Sequence, residues 1–285
     1  MVIDLFDKII NVDLIANDGV TERILCPQIG QKPTIGLVGE YGSKTVISNI
    51  QLRVTNFYAS RPLSDYTTDG DKVGYIQITT GYSNSLMTTI YGQCLTAYQE
   101  SANPDGVTCF DLLIGKFQEW VGTKLSVNFP SGTAFTTILN KLASELKMNI
   151  KIGLSGLPTV LNLDFAFNGY AIDLVYKLKQ MFPYLVIRPD GRNIWVFAQD
   201  SGTGVTHTLK HLTHAKKDAG VFTLTGPWIP NCLPGDIVQA DPVIFKAAFG
   251  SQIMVGDKFI VLTSTFSFST NDEMNDMTLV CRGLV

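Results

Sequence analysis

Apolar and polar residues alternate at the period of a pleated sheet through much of this chain. The alternation is cleanest over 45–56, where Ile50, Leu52 and Val54 interleave with Gln51, Arg53 and Thr55. One side of that strand is predicted to be core and the other wet. Arg61-Pro62-Leu63 ends it, and the polar loop 64–72, with Asp69-Gly70-Asp71, turns the chain into a second strand at 73–80. A third strand is predicted at 87–98, and Asn103-Pro104-Asp105-Gly106 makes a turn before a fourth at 107–114. Upstream, residues 9–25 with Asn17-Asp18-Gly19 at their middle read as a hairpin that completes a barrel.

The period then changes. Phe135, Ile138, Leu139, Leu142 and Leu146 follow helical spacing, which predicts a helix over 134–147 capped by Ser131 or Thr133. A second helix over 170–181 turns Ile172, Val175 and Leu178 inward and stops at Pro183, whose nitrogen cannot donate to a continuing helix. Strands are predicted at 148–152, 161–167, 185–188 and 193–198, the last two joined by Pro189-Asp190-Gly191-Arg192. Strands then resume: 221–228, the turn Pro234-Gly235-Asp236, 237–240, 258–268 and 277–282. The fold class is therefore α+β, mainly antiparallel β: two tube-like β-barrel modules, 1–125 and 203–285, with an α/β insertion at 126–202.

Composition narrows the function classes. Of 285 residues only 16% are charged, against roughly 25% in ordinary soluble domains, which points to apolar surface used between subunits. The formal charge is −3 with Lys and Arg dispersed, a poor footprint for gripping nucleic acid and a better one for a wall that DNA passes without sticking. No stretch approaches the roughly 20 apolar residues that span a bilayer. The opening Met1-Val2-Ile3-Asp4 lacks the basic start of a secretory leader, so the chain is expected to be made and kept in a cytoplasm. Cys26, Cys94, Cys109, Cys232 and Cys281 show no C-x-x-C pair and read as reduced, buried, small apolar residues.

Each candidate motif for chemistry lacks a required part. His207, His211 and His214 invite a metal reading, yet Thr208 stands where a zinc enzyme of the H-E-x-x-H type needs glutamate, and the flanks favour a polar strand end. Gly36, Gly39 and Gly42 before Ser43-Lys44 have the wrong order for a phosphate loop and read as a flexible hairpin loop. Asp65, Asp69 and Asp71 lack the pattern of a calcium loop, and Gly153-Leu154-Ser155-Gly156-Leu157 is not a nucleophile elbow. Asp272, Glu273 and Asp276 read as a solvated loop that blunts a sheet edge. Tyr58, Tyr66, Tyr75 and Tyr82 sit at strand ends or turns, as core margins and interfaces both use, while Trp120, Trp195 and Trp228 read as core. No catalytic, cofactor-binding or metal-binding residues are assigned.

The closing strands from 221 to 282 around Pro234-Gly235-Asp236 resemble the C-terminal barrel of phage baseplate hub proteins, and the resemblance recurs at 50–60, 81–98 and 172–199. It implies a non-enzymatic virion protein of the tail baseplate, assembled in the host cytoplasm. Its implied form is a homotrimer whose two barrels per chain make a pseudo-hexameric ring. The implied partners are a tail tube or tube-initiator protein and a central spike, with baseplate wedge and tape-measure proteins as further neighbours and DNA passing without specific binding. A carbohydrate-binding or adhesive β protein of the same tail is the alternative reading. A wall-degrading enzyme of the tail tip is a third.

Overall fold

The structure, a computed structural model, describes residues 8–26, 34–42, 48–82, 85–101, 106–191, 193–209, 212–240, 258–270 and 276–284. The first lobe holds β1 (Lys8–Ile15), β2 (Thr21–Cys26), β3 (Thr34–Gly42), β4 (Asn49–Thr55), β5 (Tyr75–Tyr82), β6 (Ser85–Ser101) and β7 (Gly106–Ile114). A middle block follows with α1 (Phe117–Gly122), β8 (Lys124–Phe129), α2 (Phe135–Glu145), β9 (Asn149–Ile152), β10 (Phe165–Tyr170), α3 (Ala171–Met181), β11 (Leu185–Asp190) and β12 (Asn193–Ala198). The second lobe holds β13 (Thr206–Leu209), β14 (His214–Asp218), β15 (Val221–Pro227), β16 (Ile237–Ala240), β17 (Lys258–Ser269) and β18 (Asp276–Gly283). The architecture is α+β and mainly antiparallel, as the alternation predicts.

The two lobes repeat one strand order. The first runs β3-β4-β7-β6-β5-β1-β2, the second β14-β15-β18-β17-β16-β13. In chain order within each lobe, β3 to β7 and β14 to β18 occupy the same places, and every neighbouring pair among them is antiparallel. The irregularity repeats too: β6 slips by one residue against β7 between Cys94 and Thr96, and β17 against β18 between Val261 and Thr263. Such a bulge bends its strand. The first part of β6 therefore pairs with β5, and the first part of β17 with β16, before each turns away. The lobes differ at their outer ends, where β1 runs antiparallel to β5 but β13 parallel to β16.

The strand-rich ends are also joined, which the alternation alone does not reveal. The second part of β17 pairs with β3, Thr263 opposite Gly42 through Ser269 opposite Gly36, so one curled 13-stranded sheet runs through both lobes. Alternation puts Ile35, Leu37 and Tyr41 of β3, Leu52 of β4, Phe110 of β7, Leu279 of β18 and Phe266 of β17 into one shared core with Val12 and Ile78 of the opposing strands. The glycines at 36, 39 and 42, read from sequence as a flexible loop, belong to this central strand.

The middle block has its own core, in which Trp120 and Leu125 join Phe135, Leu139 and Leu142 of α2 and Leu174, Val175 and Leu178 of α3. Helical spacing located α2, but its cap differs from expectation. Ala134 holds the cap position without a side-chain bond, while Thr133 Oγ1 donates to Pro130 O and the Ser131 N–H donates to Asp164. On α3 it is Leu174 that faces in with Val175 and Leu178, and Ile172 is half-buried. Gly191, at φ 55°, makes the turn between β11 and β12, while Pro189 pairs with Ile194 inside the ladder. The element α1 is too short to show a helical repeat, and β8 was missed although Leu125, Val127 and Phe129 alternate along it.

Cys94, Cys109, Cys232 and Cys281 are free and buried. Burial pushes the Cys94 and Cys281 thiols up to about 12, far from the thiolate that alkylating agents need. Iodoacetamide at about pH 8 should leave these four thiols unmodified in the folded chain and label them in urea, read by peptide mass. Labelling of any one of them in the folded chain would contradict the packing described.

Candidate functional site: the joint between the lobes

The joint is built where β17 meets β3. Gly39 lies opposite Phe266, and a side chain there would put its Cβ 2.9 Å from Phe266 Cζ and 2.8 Å from Ile50 Cγ1. The missing side chain lets the ring lie over the strand. Phe266 stacks on Tyr41 (centroids 5.6 Å) and on Trp228 (5.6 Å), and Trp228 meets Phe268 at 4.8 Å. The ladder also has a polar clasp, since the Ile35 N–H donates to Thr270 Oγ1 at 3.0 Å.

Next to the joint is a buried polar node that ties the middle block to the second lobe. Arg188 of β11 is 6% exposed and donates to the carbonyl of Pro234, with its guanidinium 6.0 Å from the Trp195 ring and 5.9 Å from the Phe197 ring. Desolvation lowers its pKa, and the charges of Asp236 and Asp190 oppose that shift. Asp236, 2% exposed, accepts from Thr203 Oγ1 at 2.6 Å and from the Leu233 N–H at 3.0 Å, and its Oδ2 lies 3.1 Å from His207 Nε2. Gly235 sits at φ +92°, and a Cβ there would strike the Phe197 ring. The turn Pro234-Gly235-Asp236 is thus a socket for β11. Burial, and then the charge of Asp190, pushes the Tyr41 phenol up, and the charge of Arg188 opposes that shift.

On the other side of the joint the sheet presents a wet face. Glu40, Gln51, Arg53, Thr96, Tyr98, Glu100, Asp111, Thr265, Ser267 and Thr278 alternate with the core positions along β3, β4, β6, β7, β17 and β18. Asp111 accepts from Gln51 Nε2 at 3.0 Å and Thr96 Oγ1 at 2.7 Å, and Arg53 pairs with Glu100 at 2.6 Å. The middle block covers one end of this face at matching places in the two lobes. The Gln118 N–H donates to Gln93 Oε1 at 2.8 Å in the first, and Arg282 donates to Gln199 O at 3.0 Å in the second.

Most residues singled out in the sequence have structural partners elsewhere. His207 belongs to the node, His214 opens β14, and His211 lies outside the described residues. Among the described residues no three His, Cys, Asp or Glu side chains gather as a metal site. Asp65 approaches Arg61 at 3.9 Å, and Arg61 holds Asp18 down to about 2. Tyr66 is fully buried with its hydroxyl on Glu22, Tyr75 stacks on Tyr91 at 5.3 Å, and Tyr58 is 80% exposed. Trp120 and Trp228 are core as expected, but Trp195 is half-buried and its indole N–H donates to Asp190. Asp272 and Glu273 lie outside the described residues, and Asp276 starts β18. Arg188 and Asp236 were missed; a charged residue directly after the apolar run Leu185-Val186-Ile187, within a predicted strand, was the available signal.

Comparison with known proteins places this fold. No family model matches the chain, and no curated protein matches its sequence. Solved structures do. The 43 kDa tail protein of prophage MuSo2 from Shewanella oneidensis superposes with a TM-score of 0.59 at 10% identity, covering 95% of this chain and 97% of that one. The tail protein from Neisseria meningitidis MC58 gives 0.60 at 9% identity, covering 96% of each. The E. coli c3393 protein, described as a type VI secretion component similar in structure to T4 tail proteins gp27 and gp5, gives 0.59 at 11% identity over 89% of this chain and 75% of that one. The fold is that of phage tail proteins.

Proposed function

We propose that this chain is a structural subunit of a phage tail baseplate hub. It forms a trimeric, pseudo-hexameric ring that joins the tail tube to the central spike and lets DNA pass. The observation that carries the reading is the repeated strand order. Residues 1–125 and 203–285 serve as two alike modules per chain and 126–202 as the insertion, with Trp120 and Leu125 contributing to the insertion's core. Three copies then present six similar faces, which lets a threefold spike meet a sixfold tube.

The wet face of the sheet is the channel wall in this reading. Glu40, Glu100, Asp111, Asp218 and Asp276 lie on it with Arg53, Lys216 and Arg282, and Arg53 is neutralised by Glu100 and Arg282 by Asp200. A weakly acidic wall with few cations, most of them paired with carboxylates, offers little counter-charge for DNA phosphates, so a strand slides instead of sticking. No catalytic step is assigned, and the partners are the chain itself, the tube and the spike. Native mass spectrometry across a concentration series tests the assembly: a trimer is expected, and a chain that stays monomeric at high concentration overturns it. A ring structure with a strongly basic lumen would overturn the account of the wall.

A further inference from the structure

Among the strands that repeat, β3 to β7 and β14 to β18, two edges have no ladder among the described residues: the second part of β6, 95–101, and the outer side of β14. They are the counterparts of the two edges that meet at the joint. Aligning the lobes through their shared ladders makes the equivalence specific. With the bulges superposed, Thr263, Thr265 and Ser267 of β17 correspond to Thr96, Tyr98 and Glu100 of β6. Through β4 and β15, Leu37, Val38, Gly39 and Glu40 of β3 correspond to Ala215, Lys216, Lys217 and Asp218 of β14. Burial agrees with this alignment, because Leu52 and Leu224 are both 0% exposed and so are Phe110 and Leu279.

We propose that β6 of one copy pairs antiparallel with β14 of the next, repeating between chains the β17 to β3 ladder that joins the lobes within one. Carrying the internal register across sets Glu100 opposite Lys216, Gln99 opposite Lys217 and Tyr98 opposite Asp218. This rests on the hub reading and names the contact that closes its ring. The side chains fit that register. Val38 and Ser267 face each other at the internal joint, and a carboxylate and an ammonium take their places at the external one. Opposite charges directly across a ladder attract, whereas a shift by two residues would set Glu100 against Asp218. The β6 edge carries exposed Leu95 and Tyr98 and has no lysine or proline, the residues that ordinarily keep a free edge from pairing. A contact between two different edges is heterologous, so it propagates around a ring and leaves neither of these two edges open when the ring closes.

Cysteine pairs test the contact. Directly opposed residues in an antiparallel ladder have Cα atoms about 4.5–5.5 Å apart, within disulfide reach. Under mild oxidation, Glu100→Cys with Lys216→Cys in one chain is expected to give a covalent band at three times the chain mass. Glu100→Cys with Lys217→Cys should give little. Val38→Cys with Ser267→Cys, the internal equivalent, should close within the chain and controls for geometry. Native mass spectrometry of the same samples separates the two ideas. A trimer without the 100 to 216 bridge, while the internal control closes, overturns the ladder and leaves the hub standing; a monomer overturns both. Lys216→Glu, at an exposed position, is expected to weaken association roughly tenfold by setting like charges opposite each other, and unchanged association would also overturn the register.

Discussion

Replacing Arg188 with alanine is expected to lower the unfolding free energy by about 3–5 kcal/mol, the cost of breaking a buried charge network by removing one member. The guanidinium is 6% exposed, gives a hydrogen bond to the Pro234 carbonyl and lies over the rings of Trp195 and Phe197. Its removal opens a cavity between the middle block and the second lobe. It also withdraws the positive charge that faces buried Asp236. Asp236 keeps Thr203, the Leu233 N–H and His207, so the acid is not left wholly bare, which holds the loss near the lower end of that range. Arg188→Met separates packing from charge. It restores most of the volume, so its cost should fall to about 1–3 kcal/mol, that of one unmet charged hydrogen bond. Guanidinium denaturation followed by tryptophan fluorescence measures both. A change within about 0.5 kcal/mol for Arg188→Ala, the size of an ordinary surface substitution, would mean that the node carries no load.

Local chemistry explains which parts of this fold could be read in the sequence. The alternation of Ile50, Leu52 and Val54 placed β4 because each of these side chains meets the core directly. The spacing of Phe135, Ile138, Leu139 and Leu142 placed α2 for the same reason. Asn17-Asp18-Gly19 placed the first hairpin, since Asp18 accepts from the Val20 N–H at 3.0 Å and Gly19 takes positive φ. The β3 strand was misread because its glycines face β17, Gly39 opposite Phe266, in a ladder whose Ile35 to Thr270 clasp spans 235 residues, and no local pattern holds that distance. Likewise the turn at 234–236 was legible as a turn but not as a socket, because Arg188 arrives from the middle block. The lobe repeat was anticipated as two alike modules. Its alignment rests on ladders and bulges, while positions such as Ile50 and Phe222 or Gln51 and Thr223 share only their place across equivalent strands.

Gly39→Val is expected to cost about 1–3 kcal/mol or more by overpacking the joint. Backbone strain is not the reason, since Gly39 is not among the positive-φ glycines. The reason is space. The new Cβ would lie 2.8 Å from Ile50 Cγ1 and 2.9 Å from Phe266 Cζ, and both residues are 2% exposed. Phe266 cannot swing aside because Tyr41 and Trp228 stack on it. Relief must therefore come from parting β3 and β17, the ladder that joins the lobes. Phe266→Leu makes room, so in a double-mutant cycle the pair should cost less than the two single changes added together. A stability within about 0.5 kcal/mol of the unaltered chain for Gly39→Val would show that the lobes are not held at this contact. The proposed contact between copies differs in kind. There Lys217 stands where Gly39 does and Gln99 where Phe266 does, so a flexible polar pair replaces a glycine under an aromatic ring. A joint made once, during folding of one chain, can bury an aromatic stack. An edge that waits in water for another copy keeps side chains that water tolerates, so Lys217→Gly should weaken the ring far less than Gly39→Val disturbs the fold.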